Sequence, residues 1–352
     1  SQLQKELDEN KSKLRETEKL LEQYQSQLEE TMEVLEESHS QLGETMGVLE
    51  KSQSQLQKYQ ELEGTKSQLF QAKKEEPEQA RNIQPQSYKN RTVPLEEIPA
   101  KGGITGSEIA IIKKLITEDN VIFDVGANVG KWTEEVLNCF SNVKLHLFEP
   151  APQTYKILNQ TIMERQFTEQ TVTNCLGIAE DNVVKQFYYY DKHNVLSTFK
   201  RRFSIDKIGS KYGLPREIKA LTTTIDSYCQ QKGIARINFL KVDTEGSELD
   251  VLLGAKQSLQ RGKIDYIQFE YGGTYKDAQI TLKQVFDYLQ KYRYSIFKVL
   301  QDKLEYKPEF VPSDENYQYS NYLAVNERFL DNVLGEKPRL LDVPKLCTEH
   351  SI

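Results

Sequence analysis

The stretch Val121-Ile-Phe-Asp-Val-Gly-Ala-Asn-Val-Gly-Lys-Trp-Thr133 decides how this chain is read. A short β-branched run ends at Asp124, glycines follow at 126 and 130, and a helix-like segment begins at Lys131. That order predicts a strand, a tight turn and a helix, with backbone free to approach a ligand at the turn. Twenty-three positions after Gly126, the run Leu145-His-Leu-Phe-Glu-Pro150 closes a second strand with Glu149. Taken alone, Glu149 is a solvated strand-end acid as readily as a ligand. Behind a glycine turn, an acid at that place bonds the ribose hydroxyls of an adenosine.

Two ligand classes use such a turn. A dinucleotide site has G-x-G-x-x-G and seats its pyrophosphate on the helix N-terminus. Here the first close glycine pair is missing, and Asp124 stands just ahead of the loop. An acid there opposes a pyrophosphate and favours a cationic sulfonium with its α-amino group. The combination points to S-adenosylmethionine rather than NAD.

The rest of the chain divides by texture. Leu7, Leu14, Leu21, Leu28, Leu35, Leu42, Leu49 and Leu56 recur every seven residues, inside a two-heptad repeat that begins SQLEETMEVLEESH and SQLGETMGVLEKSQ. With leucine at d, most a positions are polar, His39 among them, and Gly43, Gly47 and Gly64 weaken the helix. Residues 1–72 are therefore expected to form a coiled-coil helix. It would make the chain a homo-oligomer or tether it to a larger assembly; the alternative is a solvated single helix. Residues 73–100, with Pro77, Pro85, Pro94 and Pro99 among charges, read as a linker. Residues 101–330 read as the catalytic domain and 331–352 as a peripheral tail.

In that domain short apolar runs alternate with helical patterns, which predicts βαβ units and a parallel sheet. Strands are expected near 121–125, 144–148, 171–175, 183–190, 218–222, 237–242, 264–270, 294–300 and 321–326. Helices are expected near 131–140, 152–164, 224–232, 247–259 and 281–292. Residues 191–216 read as a loop or lid.

The formal net charge is −7, and acids exceed bases by about eight in the first eighty residues. This disfavours nucleic acid and anionic lipid as partners. No apolar run reaches the length of a membrane span, and no secretory signal is visible. Cys139, Cys175, Cys229 and Cys347 form no C-x-x-C pair. They read as free thiols of a reducing compartment, which places the protein in the cytoplasm.

Four segments resemble the FkbM-type S-adenosylmethionine-dependent methyltransferases: FDVGANVGKWT (123–133), LFEPAP (147–152), TTIDSY (223–228) and NFLKVDTEGSELDVLLGA (238–255). The last resembles that family's Lys-x-Asp-x-Glu-Gly-x-Glu signature. FEYGG (269–273) and SNYLAV (320–325) also fall where the family has strands. The resemblance spans about 120–326. It implies a Rossmann-like α/β fold, a seven-stranded class I sheet with its last strand antiparallel. It also implies methyl transfer to a hydroxyl of a sugar, glycan or other small metabolite. By motif position, Asp124, Gly126, Asn128 and Gly130 would line the methionine end of the donor and Glu149 would hold its ribose. Glu180 and Asp181 compete for the adenine.

Methyl transfer to an alcohol needs in-line alignment and removal of one proton. Asp243 and Glu245 end a strand two residues apart, hence on one face. Three readings stay open. Asp243 is a general base; or Asp243 and Glu270 share a divalent cation; or Asp243 and Glu245 are structural and anchor Lys241 and loop amides. Tyr271 follows Glu270 where catechol-type enzymes have an Asp-Asn pair, so a cation is not favoured and no metal ligand is assigned. His193, in YYYDKHNVLSTF (188–199), is a further candidate base or a surface histidine. Lys200, Arg201 and Arg202 form either a phosphate contact or a solvated charge run. Trp132 reads as core. Two other functions compete: a non-catalytic coiled-coil scaffold and an NAD-dependent oxidoreductase, the latter disfavoured by the glycine spacing.

Overall fold

The computed structural model describes residues 91–97, 104–207 and 209–335. The leucine ladder of residues 1–72, most of the 73–100 segment and the tail beyond Gly335 lie outside the described residues.

Twelve strands are described. They are β1 (Thr92–Pro94), β2 (Val121–Val125), β3 (Lys144–Phe148), β4 (Thr171–Asn174), β5 (Gly177–Ile178) and β6 (Val184–Tyr189). They continue with β7 (Arg216–Thr223), β8 (Ile237–Val242), β9 (Ile264–Tyr271), β10 (Tyr294–Val299), β11 (Lys303–Lys307) and β12 (Ser320–Asn326). Nine form one sheet in the order β1-β11-β10-β12-β9-β8-β2-β3-β4. β4, β3, β2, β8 and β9 are parallel neighbours, and β12 runs antiparallel between β9 and β10. These seven strands are the expected class I sheet. β11 and β1 extend it by two antiparallel strands. β1 falls inside the segment read as a linker, where Pro94 is tolerated because the strand is an edge. β5, β7 and β6 make a separate three-stranded sheet.

Apolar side chains cover both faces of the large sheet, which is why its central strands read as near-continuous apolar runs. On one face pack α1 (Gly106–Leu115), α2 (Lys131–Cys139) and α3 (Pro152–Glu164), through residues such as Ile112, Trp132 and Leu158. Trp132 is the expected core residue, stacked on Phe239 at 5.9 Å. On the other face pack α4 (Ile225–Lys232), α5 (Glu248–Leu253), α6 (Gly273–Ala278) and α7 (Leu282–Lys291), through Tyr228, Leu252, Tyr275 and Phe286.

α1 was not among the expected helices. Its start is nevertheless written in Thr105-Gly-Ser-Glu108, a capping box in which the Thr105 hydroxyl accepts from the Glu108 amide and Glu108 accepts from the Thr105 amide. The three described cysteines, Cys139, Cys175 and Cys229, form no disulfide with one another. Among the described residues no helix is long and apolar enough to cross a membrane.

Candidate active site

The direction of strand order reverses between β2 and β8, and open α/β sheets bind ligands at the carboxyl ends beside such a reversal. A cavity of about 400 Å³ opens there. Its floor is Gly126 and Asn128 after β2, Glu149 after β3, Asp243 and Glu245 after β8, and Glu270 at the end of β9. Phe187, Phe199 and Ile178 give it one apolar wall, and Arg202 and Tyr319 border it as well.

Glu149 is fixed by its own chain. One carboxylate oxygen accepts from the Ala151 amide at 2.9 Å and the other from the Asn128 amide at 3.1 Å. Burial raises its pKa to about 7, against those two amides. Asn128 itself has φ +49°, and its side-chain oxygen accepts from the Asn194 amide nitrogen at 3.3 Å. That bond ties the glycine loop to the 191–216 segment.

Gly126 is needed for a reason the sequence hides. Its φ is +86°, and a Cβ there would lie 1.9 Å from the Asp243 carbonyl oxygen. The turn must press against the strand that carries the carboxylates. Gly130, also at φ +86°, starts α2 and makes room for Leu158, whose methyl would meet a Cβ at 2.8 Å. It does not line the cavity.

Asp124 is likewise absent from the lining. It is fully buried below the floor, where the Thr133 hydroxyl donates to it at 2.8 Å and Lys241 Nζ lies 3.6 Å away. Strand pairing sets this up, because Asp124 and Lys241 are direct partners across β2 and β8. The Asp124 carboxyl faces a lysine of its own chain, and burial raises its pKa against that lysine.

Glu180 and Asp181 are exposed and each lies 3.8 Å from Lys185. Gly177 and Ile178 occupy the cavity wall in their stead. A turn of polar residues put the acids outward, where water solvates them. His193 is also outside the lining; its ring packs edge-on against Tyr212 at 5.4 Å. Its neighbours Asn194 to Ser197 reach the cavity instead.

The signature Lys241-Val-Asp-Thr-Glu-Gly-Ser-Glu248 divides its work among its charges. Lys241 Nζ donates to Asp243 at 3.0 Å. Glu248 is the loop anchor: its carboxylate accepts from the Thr244 amide at 2.9 Å and from the Gly246 amide at 3.0 Å. Glu245 and Gly246 both have positive φ, +54° and +100°. A non-glycine residue held there stores strain of order 1–3 kcal/mol, a feature common at functional sites.

Asp243, Glu245 and Glu270 each place one carboxylate oxygen within 4.8 Å of the others. Three acids so close cannot all ionise. Burial works to raise Asp243, but Lys241 and a hydrogen bond from Glu270 hold it below the usual range. Glu270 is pushed well above its ordinary value by burial and by the Asp243 charge. The two shifts run in opposite directions, so Asp243 loses its proton more readily than Glu270. Burial raises Glu245 also, and Arg202 Nη1 at 3.0 Å opposes this.

Arg202 belongs to the basic cluster, and every member of that cluster has an acid: Lys200 pairs with Asp250 at 2.6 Å and Arg201 with Asp206 at 3.0 Å. It is neither a phosphate patch nor a bare solvated run. It docks the 191–216 segment over the cavity, helped by the Thr198 hydroxyl, which donates to the Glu245 carbonyl at 2.9 Å. From the sequence Arg202 was read only within the basic cluster and Phe199 only as a ring to stack on a substrate; Tyr319, outside any strand-end motif, was not named.

The class is thus an open, doubly wound α/β domain with acids at adjacent strand tips around a nucleoside-sized cavity. Residues 124–296 match the sequence model of the family described as methyltransferase FkbM domain. It is similar to the 31-O-demethyl-FK506 methyltransferase FkbM of Streptomyces tacrolimicus, 26% identical over 159 residues, covering 40% of this chain and 60% of that protein. It is also similar to the 2-O-methyltransferase NoeI of Sinorhizobium fredii (strain NBRC 101917 / NGR234), 23% identical over 190 residues, covering 52% of this chain and 76% of that protein. The chain spans about three fifths of the length of most curated relatives it matches. A crystal structure of methyltransferase FkbM from Methylobacillus flagellatus KT aligns with TM-score 0.37 at 16% identity, over 58% of this chain and 43% of that one.

Proposed function

We propose that this chain is an S-adenosylmethionine-dependent methyltransferase that acts on a hydroxyl of a sugar, glycan or other small metabolite. The observation that carries the reading is Asp243 at the cavity floor, 3.0 Å from the Lys241 ammonium on one side and beside the Glu270 carboxyl on the other.

The residues fit the donor. Glu149 presents a rigid carboxylate to the cavity with lone pairs left over, suited to two ribose hydroxyls. Phe187 and Phe199, edge to face at 4.8 Å, and Ile178 offer an apolar slot for a flat base. When bound, the donor supplies an electrophilic methyl group on a cationic sulfur. The chain contributes alignment and proton transfer. Asp243 accepts the hydroxyl proton as the oxygen attacks. Lys241 keeps Asp243 charged until then, and Glu270 fixes its orientation. Arg202 holds Glu245 and the covering segment in place, which keeps water out of the site.

A divalent cation shared by Asp243, Glu245 and Glu270 is the second reading, favoured by their mutual closeness. Turnover unchanged by a chelator would rule it out. The leucine ladder fits a homo-oligomer or a tether, and a cytoplasmic setting fits the free thiols; sedimentation of the full chain tests the first.

Isothermal titration with S-adenosylmethionine, S-adenosylhomocysteine and NAD tests the main reading. Binding of the first two alone is expected. Binding of NAD alone would favour an oxidoreductase, and binding of none a scaffold.

A further inference from the structure

A second cavity, of about 640 Å³, opens at the same carboxyl edge of the sheet. Thr105 and Ser107 enter it from the start of α1, Gln301 from the turn after β10, and Asn321 from the start of β12. Tyr319 lines both this cavity and the one described above. Although it sits between two concavities, Tyr319 is 62% exposed. Asn321 stands directly opposite Glu270 in the β9–β12 register. The outer cavity therefore begins one residue pair from the carboxylate cluster.

The inner cavity, about 400 Å³, is at the small end of ligand sites. The donor fills most of it, so an acceptor longer than its reacting unit must extend beyond it. The route past Tyr319 leads into a wall that mixes hydroxyl and amide side chains with Lys298, Val299 and Leu300. A sugar ring has an apolar C–H face and a rim of hydroxyls, so an open aromatic ring with polar side chains around it matches both parts.

We infer that the outer cavity is a subsite for the second unit of a glycan acceptor, with Tyr319 as the platform between the units. The reacting unit sits beside Asp243, and Gln301 and Asn321 hydrogen-bond the unit that follows. This inference rests on the donor site proposed above.

The experiment uses the full chain, saturated with S-adenosylhomocysteine, on an array of defined linear oligosaccharides of one to four units of glucose, galactose, mannose or N-acetylglucosamine. At least one series should bind tenfold or more tightly at two units than at one. Tyr319→Ala and Gln301→Ala should each bring two-unit affinity down towards the one-unit level. Gln301→Ala should leave S-adenosylhomocysteine affinity, read by calorimetry, within twofold of the parent. Equal binding of one and two units, binding of no series, or length dependence retained in both variants would overturn the inference. Failure of S-adenosylhomocysteine to bind the parent chain would instead overturn the donor reading beneath it.

Discussion

Lys241 and Asp243 lie on one face of the same strand end, with the ammonium 3.0 Å from the carboxylate. This pairing decides which acid of the cluster is charged. Asp243→Asn should therefore keep S-adenosylhomocysteine affinity nearly intact and lower turnover roughly 10²–10⁴-fold, the usual worth of a general base. Wild-type turnover in that variant would show that another group takes the proton.

Lys241 also lies 3.6 Å from Asp124, which is wholly buried, has one carboxylate oxygen without a hydrogen bond and has its pKa raised by burial against the lysine. Lys241→Met removes the cation that faces both Asp124 and Asp243 and should cost about 3–5 kcal/mol in urea unfolding. Adding Asp124→Asn should restore part of the loss. If the double variant is as unstable as the single one, the two side chains do not act as a pair.

Glu149 titrates in a useful range, since burial lifts it to about 7. Ribose hydroxyls donate to the ionised form, which prevails above that pH. Donor affinity should rise between about pH 6 and 8, and fall about tenfold per unit below 7. Glu149→Gln should bind roughly 1–3 kcal/mol more weakly with that pH dependence flattened. Calorimetry across this range would contradict the ribose role if parent and variant gave parallel curves.

Gly126 and Gly213 separate two costs of replacing a glycine. Both have positive φ, but a Cβ at 126 would meet the Asp243 carbonyl at 1.9 Å, whereas at 213 nothing lies within 4 Å. Gly213→Ala should lose about 1 kcal/mol. Gly126→Ala should lose several times more, or fail to fold. Equal unfolding midpoints for the two variants would show that the loop does not press on β8.

His193→Ala should leave turnover within about twofold of the parent, because the imidazole faces Tyr212 and not the cavity. A hundredfold loss, of the size a general base supplies, would return it to the site.

The parts of the fold that could be read from sequence are those where one short segment carries its own reason. The run before Gly126, the strand ending at Glu149 and the signature after Lys241 each combine an apolar strand with a turn that only certain residues allow. The contacts of Asp124 and Gly130 could not be read locally, because their partners, Lys241 and Leu158, are distant in sequence. Glu180, Asp181 and His193 were chosen by chemical type, and type does not tell which way a loop turns. Arg202 and Tyr319 reach the cavity through tertiary packing alone. β1 was missed because an edge strand needs little apolar content, and β11 beside it because it is short and alternates Leu304 and Tyr306 with polar residues over five positions.

The insertion of β12 between β9 and β10 has a consequence for biosynthesis. Residues 320–326 leave the ribosome after both of their neighbours, so a nascent chain that has finished β11 still has unpaired borders on β9 and β10. Such borders are sticky towards other chains. The slow step of maturation should be the threading of this final strand, and a chain shortened before Ser320 should be captured by chaperones or precipitate rather than persist as a smaller enzyme.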